Sequence, residues 1–286
     1  MAAKDNIITL DYDQDSVARR AAMVEQETDE EIMARLKERF EVLKDMTQAI
    51  KRGNIRAMVV SGPPGVGKSH GVEEVLQKDG LFDTLGERPA KYEIVSGAMS
   101  ALGLYAKLFK FSNKGNVVVF DDCDSVLQDE LSLNILKAAL DSKKRRYISW
   151  NTDSRLLRTE GIPDRFEFCA GAIFITNIKF EHIRSKKLKD HLEAIESRCM
   201  YIDLEMDTVR EKLLRIKQMV GEGMLSSEPY EFDQAAQTEV LDFIHTNSER
   251  LLELSLRMVL KVADLRKTFP TSWQAKARTT CMKRGA

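Results

Sequence analysis

Long apolar runs are missing from this 286-residue sequence. Nothing in it reaches the ~18 or more consecutive apolar residues of a membrane-spanning helix, so no membrane role is expected. A surplus of either charge is missing too. Forty-four Lys and Arg stand against 45 Asp and Glu, for a formal net charge of −1, so no global positive field exists and any nucleic-acid contact has to be local. Cysteine is sparse. Cys123, Cys169, Cys199 and Cys281 lie far apart without a CxxC pair, and His70, His182, His191 and His245 make no HExxH. These spacings argue against a structural zinc or a disulfide framework and leave buried free thiols as the expectation. Repeats of ~20–50 residues and low-complexity segments are also lacking, which removes solenoid architectures. The N-terminus lacks the uninterrupted apolar segment of a secretory signal, and a cytoplasmic location is the expectation.

What is present is a chain with 43% hydrophobic and 31% charged residues, the composition of a charged, helix-leaning globular protein. Its length allows one large domain or two modest ones. Over 28–52 the apolar residues Ile32, Met33, Leu36, Phe40, Leu43 and Ile50 recur near helical spacing among charges, and Gly53 ends the run. Short apolar runs at 56–61, 92–95, 117–121, 172–176 and 200–204 read as strands. Helical patterns fill 71–78, 100–109, 130–141 and 187–197. Alternation of this kind predicts an α/β domain with a five-stranded parallel sheet and a three-layer αβα arrangement. After Asp207 only helical patterns follow, at 209–220, 232–245 and 250–268, which predicts a small all-helical subdomain. The expected division is an acidic, flexible leader over 1–27, an α/β domain with its N-terminal helix over 28–206, a helical part over 207–270 and a basic tail over 271–286.

The first strand runs directly into Gly62-Pro63-Pro64-Gly65-Val66-Gly67-Lys68-Ser69, followed by His70. This satisfies the P-loop pattern G-x-x-x-x-G-K-[ST] in its required context of strand before and helix after. The backbone N–H groups and the helix N-terminus converge on phosphate oxygens, Lys68 reaches the β- and γ-phosphates, and the Ser69 hydroxyl joins a magnesium shell. ATP and Mg2+ are therefore the expected ligands. A second apolar strand ends in Asp121-Asp122-Cys123-Asp124. Asp121 is placed to hold the magnesium, Asp122 to polarise an attacking water, and Asp124 to cap the next helix.

P-loop, acidic strand and helical C-terminal part, in this order, resemble the AAA+ ATPases over residues 40–267. The resemblance implies further roles. Asn177, closing Ile173-Phe174-Ile175-Thr176, corresponds to the sensor 1 residue that positions the attacking water. Arg198, in a Ser-Arg-Cys triplet like that of clamp-loader subunits, corresponds to the arginine finger that reaches a neighbouring subunit's nucleotide; Arg165 is the alternative interface arginine. Arg257 corresponds to the sensor 2 arginine of the lid. An ATPase working as a homo-oligomer, a hexameric ring or spiral that remodels a protein or DNA complex, is what the resemblance implies. Alternatives are a nucleic-acid-directed ATPase, such as a helicase-loader or clamp-loader-like replication factor, and a nucleotide-gated scaffold with little turnover.

Two departures stand out. The family usually has Glu where this chain has Asp122, one methylene shorter. No aromatic pore loop is evident, because Leu102-Gly103-Leu104-Tyr105 fits a packed helix. The segment Lys143-Lys144-Arg145-Arg146, followed by Tyr147 and Trp150, suggests a β-hairpin before sensor 1. Its charges either grip nucleic acid, meet an acidic protein, or are simply solvated. Lys276, Arg278, Lys283 and Arg284 form a second basic cluster.

Overall fold

The computed structural model describes residues 22, 24–85, 90–178, 180, 183 and 185–284, with the backbone alone for 79–85. Most of the acidic leader, 1–21 and 23, lies outside the described residues. The described residues divide into two compact units, one formed by those within 39–62 and 68–204, the other by those within 22–38, 63–67 and 205–284.

The first unit is built on the expected sheet. Strands β1 (Ala57–Ser61), β2 (Tyr92–Ser96), β3 (Val117–Asp121), β6 (Gly171–Thr176) and β7 (Met200–Asp203) are all parallel and lie in the order β2-β3-β6-β1-β7. Between β3 and β6 a separate antiparallel pair forms from β4 (Tyr147–Ser149) and β5 (Arg165–Glu167), with the short helix α6 (Arg155–Thr159) between them in sequence. Strands β1 and β6 are buried along their whole length, as their unbroken apolar sequences require of the middle of a parallel sheet. One face carries Ala57, Val59, Val118, Phe120, Ala172 and Phe174, with Phe120 stacked on Phe174 at 5.1 Å. These pack with Leu104, Tyr105 and Leu108 of α3 (Ala101–Lys110), Leu133 and Leu136 of α5 (Glu130–Ala139), and Leu192 and Ile195 of α7 (Lys186–Glu196). Leu104 and Tyr105, in the stretch compared with a pore loop, are thus fully buried.

The other face carries Val60, Val119 and Ile173, and on it Gly171 is approached by Ile50 near the end of α1 (Asp29–Lys51), a helix that opens on a reciprocal Thr28–Glu31 cap. Ile50 of α1 occupies the space a Cβ on Gly171 would fill. Gly171→Ala should therefore force a buried branched side chain aside at a cost of about 1–3 kcal/mol. Urea unfolding checks this; an unchanged midpoint would refute the close approach of α1 to the sheet.

The second unit contains α8 (Val209–Gly221), α9 (Gln234–Thr246), α10 (Leu256–Thr268) and α11 (Trp273–Cys281) around Val240, Ile244, Met258, Val259 and Val262. Two expectations need correction here. The helix expected over 250–268 begins only at Leu256, because the Ser255 side chain accepts from Met258 N and caps it, while Leu251 bridges to Met282 instead. The basic tail expected over 271–286 contains α11, whose Trp273, Ala277 and Cys281 recur every fourth residue and enter the core; Trp273 packs on Phe243 at 5.2 Å. That short apolar spacing is masked in the sequence by the cations around it.

The hairpin expected within 143–152 is also corrected. Tyr147–Ser149 pairs with Arg165–Glu167, not with its immediate neighbours. Arg146 is buried, donating to the carbonyls of Ala139 at 2.8 Å and Ala170 at 3.0 Å, and Arg145 is held by both oxygens of Glu167. All four cysteines are free; Cys123 and Cys281 are buried as expected, whereas Cys169 is exposed and Cys199 half-buried.

Candidate phosphate site

The sheet register decides what meets what. Strand β6 lies between β1 and β3, with Ser61 opposite Thr176 and Asp121 opposite Ile175. The C-terminal ends of the three strands therefore bring together the turn after β1, the acidic turn after β3 and Asn177. Ligands of parallel α/β sheets bind at this end. Helix α2 (Lys68–Leu85) starts here with Lys68, Ser69 and His70 in its first turn.

Lys68 is 6% exposed. Its ammonium donates to the Gly62 carbonyl at 2.6 Å and to Asn177 Oδ1 at 2.7 Å. Asn177 in turn donates from Nδ2 to Asp122 Oδ1 at 2.9 Å. A continuous chain of polar contacts thus runs from the P-loop lysine through Asn177 to Asp122. Asp122 has a φ of +52°, a left-handed conformation that Asp tolerates better than most residues, and its N–H is held by the Ile175 carbonyl at 3.0 Å. The turn aims the exposed Asp122 carboxylate at Asn177 while Asp121 continues the strand.

Asp124 differs from its expected role. The N-cap of α4 (Asp124–Gln128) is Cys123, with no side-chain cap bond, and the Asp124 carboxylate accepts from the Thr176 hydroxyl at 2.7 Å. Burial raises its pKa above the usual carboxylate range and the Asp122 charge adds to this, while the Thr176 bond and Lys68 act the other way. Sequence reading missed the Asp124–Thr176 pair. The available signal was a third acid in Asp-Asp-Cys-Asp together with a hydroxyl one residue before Asn177.

Within the second unit, Pro63–Gly67 packs with the start of α10. Gly65 has a φ of +71°, and its carbonyl accepts from Leu256 N at 2.8 Å. A Cβ there would lie 2.8 Å from Ser255 Cβ and 3.5 Å from Arg257 Cγ, so only glycine fits both the dihedral and the contact. Arg257 is exposed beside this turn. A further cation, Arg215 of α8, is 5% exposed with Nε 3.5 Å from the Val66 carbonyl, and burial lowers its pKa to about 10. Its place in Leu213-Leu214-Arg215-Ile216, a charge inside an apolar stretch, was the signal available for it.

Other site candidates stand elsewhere. His70 is exposed on α2. Arg198 follows α7 and precedes β7, whose first residue Met200 pairs with Met58 near the start of β1. The phosphate loop leaves from the opposite end, about 10 Å farther along the strand at ~3.3 Å per residue. Arg198 is exposed and donates to the Ala194 carbonyl of α7. Arg165 lies with its guanidinium 4.4 Å from the Tyr147 ring centroid.

Among the described residues, no group of three or more His, Cys, Asp or Glu could hold a metal ion unaided. Ser69 and Asp121 are hard oxygen donors of the kind Mg2+ takes when phosphate oxygens and water complete its shell, so the donor chemistry fits.

The chain is 32% identical over 257 residues to the uncharacterized 36.7 kDa protein in the nrdC-mobD intergenic region of Enterobacteria phage T4, a match covering 87% of this chain and 75% of the phage protein. No protein-family model matches the chain. Similar solved structures include NtrX from Brucella abortus in complex with ATP (12% identity, TM-score 0.43, 94% of this chain and 58% of that one). This chain therefore spans less than two thirds of NtrX. Drosophila ORC bound to DNA (12%, TM-score 0.40, 97% and 69%) and C. elegans PCH-2 (14%, TM-score 0.33, 94% and 67%) are others. Likenesses at these scores carry no inference about the activity of this chain.

Proposed function

The chain belongs to the family of the 36.7 kDa phage T4 protein, and from that premise and the geometry of its phosphate site we propose that it is an ATP-hydrolysing AAA+ protein. The observation that carries this reading is the chain Lys68–Asn177–Asp122, with contacts of 2.7 and 2.9 Å at the C-terminal ends of adjacent parallel strands.

In this reading phosphate oxygens replace the present acceptors of Lys68. The P-loop N–H groups hold the β-phosphate, and Lys68 holds the β- and γ-phosphates. Asn177 orients a water beside the γ-phosphate, and Asp122 accepts its proton as the oxygen attacks phosphorus and the bond to the β-phosphate oxygen breaks. Magnesium, held through Ser69 and Asp121, neutralises phosphate charge when bound. By the family resemblance, Arg257 corresponds to the sensor 2 arginine that contacts the γ-phosphate.

Arg198 lies too far along the sheet from Lys68 to serve the same chain's phosphates. We therefore assign it to the nucleotide of a neighbouring copy in a ring or spiral, hexameric by the family resemblance, acting on a macromolecular complex. Arg198→Ala should then lower turnover about 10³-fold or more while leaving ATP binding intact, and should abolish the rise of specific activity with protein concentration. Steady-state ATPase assays over a concentration series check this; unchanged turnover would sink the assignment. A second reading, a nucleotide-gated scaffold, draws on the short reach of Asp122 and is selected by tight ATP binding with near-zero turnover. Among the described residues no helix is long and apolar enough to cross a membrane.

A further inference from the structure

Cations are segregated at the end of the chain. From 265 onward the sequence contains Arg266, Lys267, Lys276, Arg278, Lys283 and Arg284 and no Asp or Glu at all, although the chain as a whole is almost neutral. Several basic side chains elsewhere are engaged with carboxylates: Arg145 with Glu167, Lys143 with Asp141, Arg158 with Asp153, Lys187 with Glu130. Arg266 is likewise bound to Glu239 at 2.7 Å.

Around α11 the pattern is different. Lys276 donates to Ser272 Oγ at 2.9 Å and lies over the Phe269 ring at 4.5 Å, and Lys283 donates to the Glu249 backbone carbonyl at 2.7 Å. Neither meets a carboxylate, and Arg278 and Arg284 are exposed without an ion pair among the described residues. The Trp273, Ala277 and Cys281 anchor fixes the helix, and Leu252 N to Cys281 O and Lys283 N to Arg250 O, both 2.9 Å, tie down its C-terminal end beside the exposed Arg250. Phe269 is 40% exposed at the other end. The result is an ordered group of cations along about 12 Å of helix, at ~1.5 Å per helical residue, with Lys276 and Arg278 on the two flanks of its buried face, Lys283 and Arg284 just past its end, and an accessible aromatic ring at the start.

We propose that α11 and its flanks are a docking surface for single-stranded nucleic acid. Uncompensated cations suit a phosphodiester backbone, and an exposed ring under a lysine suits a base that stacks. The acidic stretch near the N-terminus of a second copy is a poorer match. Glu27 is bound to Arg35, Asp29 to Arg210, and Glu31 to Thr28. The basic run at 143–146 is poorer as a nucleic-acid surface, since Arg145 is neutralised and Arg146 buried.

The test is fluorescence anisotropy of the full chain with a labelled 20-nucleotide oligo(dT) and a 20-base-pair duplex at 50 and 200 mM NaCl. Wild type should bind oligo(dT) in preference to duplex, and more weakly at the higher salt. Arg278→Glu/Lys283→Glu should weaken binding about tenfold or more, and Phe269→Ala about fivefold. Lys143→Glu/Lys144→Glu should stay within about twofold of wild type, because the phosphate contacts lie elsewhere. Lys68→Ala without nucleotide should bind like wild type, so that failure of the ATP site and failure of this surface are read separately. Circular dichroism checks folding; if the charge reversals unfold the protein, Arg278→Gln/Lys283→Gln takes their place. No binding by wild type at 50 mM salt, or full affinity in the α11 charge variants, overturns the proposal. A preference for duplex with Phe269→Ala unchanged overturns the single-strand assignment.

Discussion

Lys68→Ala should reduce ATP affinity about 10²-fold or more, as titration with a fluorescent ATP analogue would measure. The ammonium is almost wholly removed from bulk solvent and is positioned by two acceptors, Gly62 O at 2.6 Å and Asn177 Oδ1 at 2.7 Å. A phosphate group that takes over these bonds receives a charge preset in place. Each charge-assisted hydrogen bond lost is worth about 1.5–3 kcal/mol, and two of them correspond to about two or more decades of affinity. Lys68→Arg should not restore binding, because a planar guanidinium cannot replace a compact ammonium between two acceptors less than 3 Å from it. Wild-type affinity in Lys68→Ala would remove the phosphate reading, and with it the assignments of Asp122 and Asn177.

Asp122→Asn should lower ATP turnover about 10²–10⁴-fold, the range general-base catalysis contributes, with little change in ATP affinity. The substitution is informative because it preserves everything else the structure assigns to this residue. Asparagine accommodates the +52° φ as readily as aspartate, its carbonyl still accepts from Asn177 Nδ2, and the backbone bond to Ile175 is untouched. Only the ability to take a proton from water is lost. Turnover equal to wild type, by phosphate release under saturating ATP, would show that Asp122 is not the base. Asp124 would be the next carboxylate to examine, although one of its oxygens already accepts from the Thr176 hydroxyl.

Much of the first unit was legible because its signals are local. A five-residue strand buried on both faces reads as a continuous apolar run, and the P-loop is spelled by consecutive residues. Roles that depend on register were less legible. Nothing in Asp-Asp-Cys-Asp says that the second acid turns left-handed toward Asn177 while the third folds back onto Thr176; that follows from β6 lying between β1 and β3. The basic run at 143–146 looked like one surface, yet a neighbouring strand took Arg145 and the interior took Arg146. The cations after 270 looked like a tail because three anchoring residues four apart carry little weight in a polar stretch.

By itself, then, the sequence determined the alternation of strands and helices, the phosphate-binding turn and the change to helices after Asp207, since each is written in residues near one another along the chain. Only the tertiary structure decided which acid faces Asn177, that Arg198 stands away from its own chain's Lys68, and that the last helix holds its cations in an ordered array. These depend on strand order and on which side chains compete for the same partners, and both are set by packing between residues 55 to 185 positions apart.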